Sequence, residues 1–346
     1  MRKIFIAAIF AITSSLAFAQ DNSLKDLYLT KSFNDGSFKK INAETTHGNI
    51  SLSAGTAAET KVEVYIHSNK WDEELSKGEI QKKLDEYYSM DLSVSGDVLN
   101  VVLKKKKEFM PGQTSLSVSL KIYTSKSKST VLKTNHGNVG LSGMEGTEDV
   151  ETSHGNISAE TITGKLTAQT SHGNVSVIGA KDDIDIKTDH GNIDAKDCEG
   201  TIKLITTNGN IDMKKVNGKL TAGTDHGNIS GNMIEGSLSA TTSHGDVALE
   251  QLACSINTST DHGNINLSFD KIAGDIIADN SNGNISVQIP KGKNIDLDLK
   301  GKGVDLDAME NFSGSKKRDE VKGSINGGGT KVSAKTDRGQ ISVTFR

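Results

Sequence analysis

Glycine recurs at positions 137, 155, 173, 191, 209, 227, 245 and 263, every step being 18 residues. A fixed period of this size marks a chain that stacks one small structural unit on the next. A second series, Gly146, Gly164, Gly200, Gly218 and Gly236, lies nine residues after members of the first, with Asp182 and Cys254 in the two missing places. Each repeat therefore has two nine-residue halves, and each half opens on a turn.

Between the turns, apolar and polar residues alternate. Val139, Ile157, Val175, Ile193, Ile211, Ile229, Val247 and Ile265 share one column, and Leu166, Ile184, Ile202, Leu220, Leu238 and Ile256 share another. The residues between them are mostly Ser, Asp, Lys, Thr and Asn. Alternation over five or six residues, ended by glycine, predicts half-buried strands. The expected fold is all-β: a parallel β-solenoid with two short strands per coil and coils about 4.8 Å apart. Aromatic residues make up only 4% of the chain and none occurs between Tyr123 and Phe269. An interior spaced for Ala, Val and Leu explains this, since a ring does not fit between such sheets.

The first turn repeats as TTHGN, TNHGN, TSHGN, TDHGN, TTNGN and TSHGD, and holds eight of the nine histidines. Parity places its threonine inward, where the hydroxyl is expected to satisfy a turn amide. The glycine is expected to supply a positive φ, and the following asparagine to stack its amide along the coils. The histidine alone has no turn-building reason. His136, His154, His172, His190, His226, His244 and His262 form a row, interrupted at Asn208. Like charges at coil spacing repel, so neutral rings are expected at pH 7. Neutral imidazoles in a row could share Zn²⁺, Ni²⁺ or Cu²⁺. Asn208, Asn282 and Arg338 stand at the same place in other copies. A turn that accepts Asn or Arg does not demand a ligand, so structural stacking ranks ahead of metal binding.

Other repeat chemistries fit less well. Calcium β-rolls need G-G-x-G-x-D, whereas Asp189, Asp225 and Asp261 alternate here with Ser171, Thr207 and Ser243. Ice binding needs outward threonines. A polysaccharide-cleaving β-helix needs clustered acids and bases, and Asp182, Asp183, Asp185 and Asp194 fall in different columns. No cofactor is implied. Cys198 and Cys254 lie about three coils apart, beyond the reach of a disulfide, and are expected to be free thiols.

The flanks divide the chain further. Residues 1–19, MRKIFIAAIFAITSSLAFA, combine a basic start, an apolar run and an A-x-A site, which predicts a cleaved signal peptide and export to the periplasm, cell surface or medium. No later stretch is apolar enough to span a bilayer. A net charge of −4 leaves no electrostatic footprint for nucleic acid. Residues 20–133 read as a β-rich N-terminal cap carrying one early copy of the turn, at Thr45 to Ile50. That cap is interrupted by a helix over about 71–89, with Ser76 and Glu79 as a capping box. Residues 134–268 are the regular solenoid. Residues 269–346 read as wider coils and a C-terminal cap, because the next two copies of the turn follow at steps of 20 and 56 residues.

The recurrent T-x-H/N-G-N/D-I/V turn, the leader and the helix-interrupted first third resemble the family of exported bacterial proteins labelled putative adhesins, related to the autotransporter-adhesin head domain called GIN. The resemblance implies a β-solenoid without an established reaction, and it carries over no functional residues. The leading functional reading is a non-enzymatic envelope or surface protein, an adhesin-like binding or scaffold solenoid that meets an unidentified protein or envelope partner. Periplasmic transition-metal binding through the histidine row is the alternative, and a polysaccharide-active β-helix enzyme is a distant third.

Overall fold

The computed structural model describes residues 27–55, 58–70, 74–107, 115–307 and 311–346; the expected leader lies outside them. The regular part is the stacked two-sheet solenoid that the glycine period predicts. The Ile193 column pairs in parallel register at 18-residue steps from Val139 through Ile265. Its members are no more than 1% exposed. The Leu166 column does the same on the facing sheet. One continuous apolar cluster therefore runs from the cap to the last strand.

The second corner differs from expectation in the middle coils. There each coil is a single bent strand: Ile193–Thr206, Ile211–Thr224, Ile229–His244 and Val247–His262. The bend is made by one residue in left-handed backbone, Asp197, Lys215, Met233 and Gln251, at φ 51–59°. This residue drops out of the pairing in every coil at once while its neighbours stay in register. The glycine series that follows, with Gly164, Gly200, Gly218 and Gly236 at φ 96–129° and Asp182 at 81°, completes the corner.

Both ends are built by overshoot and return. The strands β1 (Leu27–Asn34), β2 (Lys40–His47), β3 (Ile50–Gly55) and β4 (Glu59–Ser68) precede the helix α1 (Lys77–Tyr87). After it come β5 (Tyr88–Ser95), β6 (Val98–Lys105) and β7 (Leu116–Ser125). β2 and β3 form the first coil, under the strands Ser129–His136 and Val139–Ser142. β6 and β7 extend its two sheets in parallel, and β5 and β4 then pair antiparallel on them. The open end of the solenoid is thus closed by strands running the wrong way for another coil, which suits a cap. The helix is shorter than expected, but Ser76 is its N-cap and the reciprocal Ser76–Glu79 box is formed. Gly78 sits within it without breaking it.

A polar knot ties the cap to the first coils. Asp35 accepts hydrogen bonds from Thr60, Thr124 and Ser125 and pairs with the Lys128 ammonium. Burial pushes the Asp35 carboxyl up, but these donors together hold it well below the usual carboxylate range.

At the C-terminus the 56-residue step is an ordinary coil. Thr330–Thr336 and Gln340–Phe345 stack directly on Ile276–Asn280 and Ile285–Ile289. The intervening chain overshoots, placing Ile295–Lys300 and Gly303–Leu306 beyond them. Phe269 is fully buried. It sits where the register slips from Leu249 to Leu252, so the ring enters where the coil widens.

Candidate histidine ladder

The T-x-H-G-N turn stacks on itself from Gly48 to Gly339, and each of its residues has a different physical task. Glycine is required by proximity. A Cβ on Gly155, Gly173, Gly191 or Gly209 would lie 1.8–1.9 Å from the carbonyl oxygen of the glycine one coil earlier. The expected positive φ is not the reason: in this column only Gly48, at 135°, is well inside that region, with Gly263 at 157° close to extended backbone.

The threonine column is buried, 0–6% exposed from Thr45 to Thr336. Its hydroxyls donate to a carbonyl, and in the last copy Thr336 Oγ1 also accepts the expected turn amide, from Gly339 N at 3.0 Å. Thr152 Oγ1 donates to Gly137 O at 3.0 Å, Thr170 to Gly155 O at 3.0 Å and Thr206 to Gly191 O at 2.9 Å. In the one copy that carries asparagine, Asn280 Nδ2 makes the same bond to Gly263 O at 2.7 Å. Replacing Thr170 by the isosteric Val removes the donor and leaves a part-buried carbonyl without it, which costs about 1 kcal/mol. Urea unfolding of Thr170→Val is expected to show that loss, with Thr170→Ser closer to the parent.

The asparagines form a ladder of another kind than expected. Each Oδ1 accepts the backbone N–H of the equivalent residue one coil on: Asn138 from Asn156 at 2.9 Å, Asn156 from Asn174 at 2.8 Å, Asn210 from Asn228 at 2.8 Å. Asp246 keeps the sequence unbroken, accepting from Asn264 N at 2.6 Å. The amides do not bond to one another; each one satisfies a turn N–H that the sheets leave over.

The histidines occupy the exposed outer corner. His136, His154, His172 and His190 stack with ring centroids 4.8 Å apart and planes within 4° of parallel. His226, His244 and His262 stack likewise at 4.8 and 5.0 Å. Asn208 separates the two blocks. His47, absent from the sequence-derived row, joins it: its ring stacks on His136 at 4.8 Å, because β2 pairs directly with Ser129–His136. The early THGN copy was the available signal. Among the described residues His136, His154, His172, His190, His226 and His244 have no side-chain hydrogen bond, and His262 has one contact, to Asn282 at 3.4 Å. Among the described residues no three His, Cys, Asp or Glu side chains converge on one point that could hold a metal ion.

The remaining sulfur and carboxyl groups lie inside. Cys198 and Cys254 are free and buried. Burial pushes the Cys254 thiol up to about 12, so it is inert as a nucleophile. Glu148, wholly buried, stands in the apolar column between Thr130 and Leu166 and accepts the Thr130 hydroxyl.

These features define a class: a parallel β-solenoid whose turns are locked from coil to coil and whose outer corner carries an imidazole row. Residues 178–344 match the family model described as Toastrack DUF4097, and over that segment the chain is similar to this family. Three crystal structures are similar over most of their length. A putative cell adhesion protein from Clostridium sporogenes is 10% identical, covering 92% of this chain and 98% of that one at a TM-score of 0.23. A putative adhesin from Bacteroides fragilis is 13% identical, covering 92% and 96% at 0.29. A putative adhesin from Parabacteroides distasonis is 13% identical, covering 91% and 96% at 0.29. At such TM-scores these likenesses carry no argument about this chain. No curated protein matches it. No helix among the described residues is long and apolar enough to cross a membrane.

Proposed function

We propose that this protein is a non-enzymatic, exported component of the cell envelope or surface, an adhesin-like solenoid that presents a rigid polar face to a protein partner. The observation that carries the reading is the division of the coils. The inward columns are apolar or internally bonded threonine, with few exceptions such as Glu148, Thr258 and Asn280. The outward columns, such as Ser176, Asp194, Asp212 and Ser230 on one sheet and Asp185, Lys203, Thr221 and Ser239 on the other, form ladders of short polar side chains. Parallel stacking fixes their spacing along the molecule, so a partner meets a periodic surface that needs no ordering on binding. The basic, apolar and A-x-A segments of the first 19 residues support export.

Fractionation combined with site-specific photocrosslinking tests this reading. A crosslinking side chain at Asp194, Lys203, Asp212 or Thr221 is expected to trap a discrete envelope or surface protein from exporting cells. Retention of the native chain in the cytoplasm, with no adduct from either sheet, would contradict it.

A further inference from the structure

We infer that the histidine ladder is a set of transition-metal sites, each made by two imidazoles from neighbouring coils and completed by water. Three observations carry this beyond the adhesin-like reading, and it stands independently of that reading. First, eight of the nine histidines of the chain are gathered at one turn position, where Asn208, Asn282 and Arg338 are structurally equivalent substitutes. Glycine, threonine and asparagine in the same turn each have a coil-to-coil contact that explains them; histidine between His136 and His244 has only its neighbour's ring. Second, the rings from His136 to His262 are exposed, and within each block they stack at 4.8–5.0 Å. Parallel rings send their in-plane lone pairs out side by side. A Zn²⁺, Ni²⁺ or Cu²⁺ ion bound by nitrogens at about 2.0–2.1 Å needs two neighbouring rings to tilt toward each other. No hydrogen bond holds the rings from His136 to His244 against that tilt. Third, no third protein ligand converges on any pair, so the ion keeps open positions and the affinity of each site is that of a two-imidazole chelate.

Pairing fixes the count. The run from His47 to His190 has five rings and holds two separate pairs; the run from His226 to His262 has three rings and holds one. The mature chain, free of any polyhistidine tag, is therefore expected to bind about three Ni²⁺ or Zn²⁺ ions at pH 7.5.

Isothermal titration with the metal alone tests the inference through two variants. His136→Asn/His172→Asn/His244→Asn leaves five ladder histidines but no adjacent pair, using the residue the chain itself places at 208 and 282. It is expected to weaken binding at least tenfold while circular dichroism stays that of the parent. Asn208→His joins the blocks into nine consecutive rings and is expected to raise the count to about four. Unchanged affinity in the triple variant would overturn the pair model, as would an unchanged count in Asn208→His or the absence of binding by the parent at submillimolar metal.

Discussion

Gly173→Ala is expected to destabilise the protein by on the order of 4 kcal/mol or more, far beyond a usual point substitution. The new methyl would stand 1.9 Å from Gly155 O and 2.5 Å from its carbon. Both obstacles are backbone, so no rotamer change relieves them. The coils must move apart, and with them the bonds that join them, such as His172 N to Ser153 O at 2.9 Å and Ile157 N to Asn174 O at 2.9 Å. The control is Gly78→Ala in α1. A Cβ there meets nothing within 4 Å, and alanine is the better helix former, so a gain of up to about 1 kcal/mol is expected. Urea unfolding of the two variants should move the midpoint in opposite directions. If Gly173→Ala is tolerated as well as Gly78→Ala, the close-stacked turn is wrong.

The second large effect is a pH dependence centred on Glu148. Burial is the main cause that raises its carboxyl from 4.5 to about 7, while hydrogen bonds from Thr130 and the Gly146 amide pull the other way. A raised acid is bound to its proton more tightly in the fold than in the unfolded chain. Its contribution is therefore complete below about pH 4.5, falls as the pH climbs, and is lost above about 7. The full loss for this group is about 3 kcal/mol. Other groups titrate over the same range, so the informative quantity is the difference between the parent and Glu148→Gln. The parent is expected to lose about 2.5 kcal/mol more than the variant between pH 5 and pH 8. Parallel pH profiles would mean that the carboxyl is solvated in the folded protein.

How much of this was legible beforehand follows from what glycine period and residue parity report. They identify which residues lie inside, and the Ile193 and Leu166 columns are buried in the expected register. They also reveal the corner at Thr45 to Ile50. Parity does not report what a buried polar group bonds to. Sequence alone suggests an amide for the threonine hydroxyl and a neighbouring amide for the asparagine, whereas coil-to-coil geometry gives the first a carbonyl and the second a backbone N–H. The left-handed corner residues were hidden because Asp197, Lys215, Met233 and Gln251 have no shared chemistry; only Gly143 and Gly179, in the same column, hint at it. The order of the caps was hidden too, because β6 and β7 insert under a coil that precedes them in sequence. Length alone made the last copy look like a wide coil, when its strands return to an ordinary place.

The central claim is that within one His-Gly dipeptide the glycine builds the fold and the histidine does not. The most direct test is the unfolding free energy of His172→Asn, measured in the presence of a chelator so that metal plays no part. A change below about 1 kcal/mol is expected, the scale of an exposed ring contact, beside the large loss in Gly173→Ala. A loss in His172→Asn that rivals the glycine variant would make the imidazole stack part of the scaffold, and would remove the reason for seeking a ligand on it.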